Sequence, residues 1–172
     1  MTNIQTSGRH LQQILNDILD LSKIEAGQLD LHIASYPAAY FEETVGRVLA
    51  GRLEAKQIRC CWRLDPELDE LVVDQTRFKQ ILINLISNAI KFSKEGGEVI
   101  VSSHREGNDM VFSVQDFGTG IRPEEIPGLF RPFRQAESGK AKNKEGVGLG
   151  LAITQKLVEL HGGTVTAVSA GE

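Results

Sequence analysis

The sequence predicts an α+β domain led by one long helix. Residues 74–92 contain no Gly or Pro and repeat apolar side chains at intervals of three and four, the period of a helix with one buried face. Ile58, Cys60, Trp62 and Leu64 occupy every second position, and 99–103 and 110–115 flank Glu106-Gly107-Asn108 as the two strands of a hairpin. Ahead of these, residues 7–26 carry Leu11, Ile14, Ile18 and Leu21, with Leu15 and Leu19 widening the stripe.

The elements follow in order. Gly27 is placed to stop the first helix. A stripe this wide on a terminal helix needs a partner helix, and the chain offers no obvious second one, so the expected partner is another chain or a missing segment. Leu29, Leu31 and Ile33 alternate as a strand, Pro37 precedes a helix over 40–56, and 58–64 form the next strand. Asp65-Pro66 turns the chain into a short strand at 71–73. The helix over 74–92 comes next and is expected to end at Gly96-Gly97. After the hairpin, 122–135 reads as a loop with short helical turns, and 136–146, rich in Lys and Gly, as a mobile loop. A last helix over 149–161 is capped by Gly162-Gly163, and 165–169 begins a strand.

The bulk properties exclude several functions. A chain of 172 residues holds one domain with a core plus a short appendage. Its net charge of −4 gives no basic surface, so no nucleic-acid partner is expected. No apolar run approaches the roughly 20 residues of a membrane span, and 1–11 is polar, so neither membrane contact nor a secretory signal is expected. Cys60 and Cys61 are neighbours that point to opposite faces of a strand, which suits two reduced structural thiols and a cytoplasmic setting.

The stretch Asn84-Leu85-Ile86-Ser87-Asn88-Ala89-Ile90-Lys91-Phe92 carries the chemistry. On a helix, Asn84, Asn88 and Lys91 fall within roughly 60° of one another, and Arg77 and Gln80 extend the stripe. An amide oxygen can ligate Mg²⁺ and a lysine can meet a phosphate, although a solvated helix face explains the same residues alone. Asp116-Phe117-Gly118-Thr119-Gly120 puts a carboxylate, which only accepts, at a strand end beside glycines that allow close approach to a flat ring such as adenine. Its first three residues mimic the Asp-Phe-Gly of protein kinases, but the other kinase motifs are missing. Gly146-Val147-Gly148-Leu149-Gly150-Leu151 stands at a helix start, where free N–H groups bind phosphate. A dinucleotide fingerprint would need a strand before these glycines.

Taken together, these motifs resemble the histidine-kinase branch of the GHKL ATP-binding superfamily. The asparagine box at 84–92, a glycine box at 116–120, a phenylalanine box at 130–133, a second glycine box at 146–150 and the closing Gly162-Gly163 stand in the family's order. Leu19-Asp20-Leu21-Ser22-Lys23-Ile24-Glu25-Ala26-Gly27 is similar to the second helix of the dimerisation and histidine-phosphotransfer hairpin of hybrid-type sensor kinases. The resemblance implies a Bergerat fold, a two-layer α/β sandwich with a mixed sheet and helices on one face, occupying 28–172 behind a partial dimerisation helix at 1–27. It implies Asn88 as Mg²⁺ ligand with Asn84 in support, Lys91 on phosphate and Asp116 on adenine. Gly118, Gly120 and Ile121 would lie against the nucleotide. Gly146, Val147, Gly148, Leu149 and Gly150 would wrap the phosphates, with 136–145 as lid and Phe130 and Phe133 at its base; both also read as plain core, and the two readings can hold together.

The implied activity is transfer of the ATP γ-phosphate to a histidine of a dimerisation helix. The implied partners are a second copy through the N-terminal helix and the receiver domain of a response regulator, in the cytoplasm or the cytoplasmic part of a membrane-bound sensor. The alternative is a nucleotide-binding regulatory module that acts through its helix. Gyrase-like and MutL-like members place a water-activating Glu where Asn84 stands, and an amide is a poor base, so transfer to protein fits better than hydrolysis. His10, His32, His104 and His161 lack the family's acceptor box, and Val147 replaces a common Thr. The family's last strand is expected beyond Glu172, so the chain reads as cut at both ends.

Overall fold

The computed structural model describes residues 2–134 and 147–171. Its elements are α1 (Thr2–Glu25), β1 (Ile33–Pro37), α2 (Ala38–Ala55), β2 (Arg59–Arg63), β3 (Glu70–Asp74), α3 (Gln75–Phe92), β4 (Glu98–Glu106), β5 (Asp109–Asp116), a 3₁₀ turn at Ile126–Gly128, and α4 (Gly150–Leu160). Strands β2, β4 and β5 form a mixed sheet in that order, with β2 parallel and β5 antiparallel to β4. Strands β1 and β3 form a separate antiparallel ribbon.

The register decides what faces the helices. Side chains alternate along a strand, and directly paired residues share a face. Cys60, Val99 and Asp116 form one cross-strand row, and Trp62, Val101 and Val114 another, all on one face. That face packs on α2 and α3 through Phe41, Val45, Leu49, Leu82 and Ile86. The expected arrangement of helices on one face of a mixed sheet is therefore present. Ile86 is fully buried, which contributes roughly 1.5–3 kcal/mol. Phe41, Phe78 and Phe112 meet edge to face at 4.9 and 5.2 Å, joining α2, α3 and β5.

A second cluster lies on the other flank of α3. Leu21 and Ile24 of α1 pack with Ile81 of α3 and with Leu149, Ile153 and Leu157 at α4. This corrects the expectation that α1 finds no partner helix in its own chain: its last turns do. Leu11, Leu15, Ile18 and Leu19 remain exposed.

Helices α1, α2 and α4 share one ending, in which two successive N–H groups reach back to carbonyls three and five residues earlier. Gly27 and Gly162 supply the left-handed residue in α1 and α4; Gln57 supplies it in α2, at φ 54°. A Cβ in that region costs roughly 1–2 kcal/mol. Gln57→Gly is expected to raise Tm by about 2 °C in thermal unfolding. An unchanged or lower Tm would show that the α2 terminus stores no strain.

Three boundaries differ from the sequence expectation. The first strand begins at Ile33, where pairing with Asp74 starts, because Leu29 is drawn into the α1–α4 cluster. Helix α3 ends at Phe92, four residues before Gly96: Ser93 is already extended, and the Lys56 ammonium takes the last carbonyls. Residues 165–169 form no strand. They alternate half-buried and exposed, as an extended chain does, but have no ladder partner among the described residues; Ser169 Oγ accepts from the Ile121 N–H instead. Among the described residues, no helix is long and apolar enough to cross a membrane.

Candidate functional site

Helix α3 is fixed at both ends. Asp74 caps its start: one carboxylate oxygen accepts from the Arg77 N–H at 2.9 Å and the other from the His32 N–H at 2.8 Å. Burial alone would raise this carboxyl, but the N–H groups of Arg77, His32 and Thr76, with the Arg77 charge, outweigh it and hold Asp74 below the usual carboxylate range. At the other end, Lys56 Nζ donates to the carbonyls of Ile90, Lys91 and Ser93 at 2.6–2.8 Å. A cation on the last carbonyls of a helix satisfies orphan acceptors and complements the helix dipole. Sequence reading passed over Lys56, although a lysine just past the end of a preceding helix was the available signal.

Asn84, Asn88 and Lys91 thus stand on a rigid rod, and all three line one broad, open cleft. Asp116, Gly118, Gly120, Ile121, Phe130, Val147, Gly148, Leu149 and Gly150 line the same cleft, so most of the expected site residues meet there. Gly146 and the expected lid at 136–145 lie outside the described residues. Phe133 is 65% exposed, which corrects its reading as plain core. Its N–H donates to the Gly148 carbonyl at 3.0 Å, with Phe133 itself at φ 61°.

The two glycine segments are shaped by close contact. A Cβ on Gly118 would stand 2.3 Å from the Phe92 carbonyl oxygen, so only glycine lets this turn close over the end of α3. Gly148 has φ 78°, and a Cβ there would meet the Arg134 carbonyl at 2.7 Å. Asp116 reaches the helix side of the sheet because it continues the every-second-residue row of Phe112 and Val114. Its Oδ1 accepts from the Gly118 N–H at 2.9 Å.

Asn84 does something the stripe did not reveal. Its Nδ2 donates to the Gly150 carbonyl at 3.2 Å and lies 3.5 Å from Thr154 Oγ1, tying α3 to the first turn of α4. Arg77 and Gln80, which extend the stripe toward the start of α3, face α1. Both donate to Asp20 Oδ2 of α1, at 2.9 and 3.0 Å, in a partly buried pair. That contact needs two helices more than 50 positions apart, so no local pattern announces it. Cys60 and Cys61 are free; burial, then Cys61 and Glu42, push the Cys60 thiol up, which makes it a poor thiolate and fits a structural part.

Among the described residues, no group of three His, Cys, Asp or Glu side chains could hold a metal ion. The oxygen donors that α3 itself presents to the cleft are the amides of Asn84 and Asn88. That set fits a divalent cation that keeps most of its water and phosphate ligands and takes one or two from protein, the habit of Mg²⁺.

Residues 73–172 match the family described as histidine kinase-, DNA gyrase B-, and HSP90-like ATPase. A sensor-like histidine kinase of Rhizobium meliloti (strain 1021) is 40% identical over 97% of this chain and 32% of its own length. The circadian input-output histidine kinase CikA of Synechococcus elongatus is 40% identical over 94% of this chain and 22% of its own length. The chain therefore spans a third or less of these curated relatives. Full-length ShkA in complex with AMPPNP superposes with a TM-score of 0.82 at 31% identity, over 99% of this chain and 35% of that one. The histidine kinase AdeS of Acinetobacter baumannii superposes with a TM-score of 0.81 at 26% identity, over 97% and 76%.

Proposed function

The chain belongs to the histidine kinase-, DNA gyrase B- and HSP90-like ATPase family, and from that premise we propose that it is the ATP-binding catalytic part of a two-component sensor histidine kinase. The observation that carries the proposal is that the face of α3 with Asn84, Asn88 and Lys91 is met by both glycine segments: Gly118 closes on the Phe92 carbonyl at its end, and Gly150 lies against Asn84. Residues 28–172 form the ATP-binding domain, and 1–27 the helix that joins it to a second copy and to the phosphate acceptor.

Each residue has a task. Asp116 accepts from the exocyclic amine of adenine, with Gly118, Gly120 and Ile121 against the ring. Phe130 adds apolar wall. Asn88 ligates Mg²⁺, and Lys91 offers a point charge to phosphate. Asn84 holds Gly150, so the free N–H groups at the start of α4 and in Val147, Gly148 and Leu149 face the phosphates. Bound Mg²⁺ neutralises charge on the transferring phosphoryl group. With an amide at Asn84 and no Glu there, the chain has no base to activate water at that position, and the acceptor is a histidine on a dimerisation helix. A response-regulator receiver domain then takes the phosphate. The free cysteines suit a cytoplasmic setting.

Calorimetric titration of the 172-residue chain with ATP, in Mg²⁺ and again in EDTA, tests the reading. Binding that depends on Mg²⁺ is expected. Equal heats in both buffers would remove Mg²⁺ from the proposal, and no heat in either would overturn it.

A further inference from the structure

His161 has no acceptor setting in the sequence, yet it makes two directional contacts that bridge distant parts of the fold. Its Nδ1 lies 2.7 Å from the Leu157 carbonyl oxygen, and its Nε2 lies 3.1 Å from the backbone nitrogen of Asp74. A carbonyl only accepts, so Nδ1 carries a hydrogen; a backbone N–H only donates, so Nε2 carries none. The contacts therefore select the neutral ring in a single tautomer. An imidazolium has no acceptor left and must give up the Asp74 contact.

That contact joins the residue that caps α3 to the residue that ends α4. At the opposite end of α4, Asn84 holds Gly150. So α4 is pinned to α3 at both ends, and the glycine turn 147–150 leads into the helix at the Asn84 pin. The geometry points to His161 as a positioning residue for nucleotide binding: neutral, it holds α4 so that the glycine turn stands beside Asn84, and protonated, it frees that end of the helix. This rests on the nucleotide reading above and adds a proton-sensitive control to the same site.

The charged neighbours are already engaged in the neutral state. From the β3–α3 junction, the Asp74 carboxylate is engaged by the N–H groups of His32 and Arg77. The ring's contact with this residue is to its N–H. His32 reaches Asp74 through its backbone, so its ring state leaves that bond intact. From α3, Arg77 is turned to Asp20 of α1. On α4 itself, Glu159 pairs with Lys156. The Leu157 carbonyl accepts from Nδ1–H in both protonation states.

The test compares ATP affinity, with Mg²⁺ present, of the wild-type chain, His161→Gln and His161→Leu from about pH 8 to about pH 5.5. Gln keeps an acceptor and a donor but takes up no proton. At the upper pH, wild type and the Gln variant are expected to bind alike, and the Leu variant about three- to tenfold more weakly. As pH falls, wild type is expected to weaken about three- to tenfold relative to the Gln variant; taking the ratio cancels the titration of ATP itself. Exchange of the Asp74 amide, followed without nucleotide, is expected to speed up in the Leu variant and, relative to Gln, in wild type at low pH. A ratio independent of pH, a Leu variant that binds like wild type, or a Gln variant as weak as Leu would each overturn the proposal. Absence of ATP binding by wild type at the upper pH would instead sink the nucleotide reading, leaving amide exchange to judge the pin.

Discussion

Replacing Asp116 by Asn is expected to weaken ATP binding more than tenfold. The carboxylate already spends Oδ1 on the Gly118 N–H. An asparagine would keep that bond by turning its carbonyl toward Gly118, which leaves an NH₂ where Oδ2 stood. A donor then faces the adenine amine, itself a donor. A charged hydrogen bond lost and left unsatisfied costs about 1.5–3 kcal/mol, and each ~1.4 kcal/mol is a factor of ten. The backbone contact to Gly118 survives, so the change acts on the ligand more than on the fold. Calorimetry showing unchanged affinity would remove Asp116 from the site.

Asn88→Ala is expected to abolish phosphoryl transfer in a reconstituted system. The 172-residue chain alone should bind Mg²⁺-ATP and leave its four histidines unlabelled. Among the described side chains, the His161 ring is occupied by Leu157 and Asp74, and neither His32 nor His104 lines the cleft. Adding a dimerising hairpin that carries a His-box helix should produce acid-labile, base-stable label from the γ-phosphate. On the proposed assignment, the change would remove a protein ligand of the Mg²⁺ that neutralises charge on the phosphoryl group. Even about 3 kcal/mol there lowers the rate more than a hundredfold. A reconstituted wild-type protein that binds ATP and never labels would favour a regulatory nucleotide-binding module. Label on one of the chain's own histidines would overturn the assignment of the acceptor to another helix.

Elements with a local cause matched their sequence signals. Helix α3 formed where residues without Gly or Pro repeat at three and four, and Asp74 capped it. The hairpin of β4 and β5 turned at Gly107, and Gly162 closed α4. The motif residues converged because several are within one turn of a helix or at a strand end, where geometry is local. Failures came where a distant partner decides. Alternation marked Leu29 as strand, but the α1–α4 cluster claimed it. Residues 165–169 have strand chemistry and an extended path, yet a strand exists only if another strand supplies the ladder. Phe133 reads as core by type and stands exposed.

The sequence by itself determined the class of the domain and most of the residues that line the cleft, because helix period, strand period and motif spacing are properties of neighbouring residues. Only the tertiary structure decided which of those groups remain available to a ligand. The Asn84 nitrogen is spent on Gly150, which leaves its Oδ1 as the ligating atom, and the Arg77 guanidinium is spent on Asp20. His161 looked inert until its ring was found between Leu157 and Asp74. A side chain's chemistry is written in its type, but its hydrogen bonds are spent on whatever the fold brings within about 3 Å, and that is set by contacts between residues far apart in the chain.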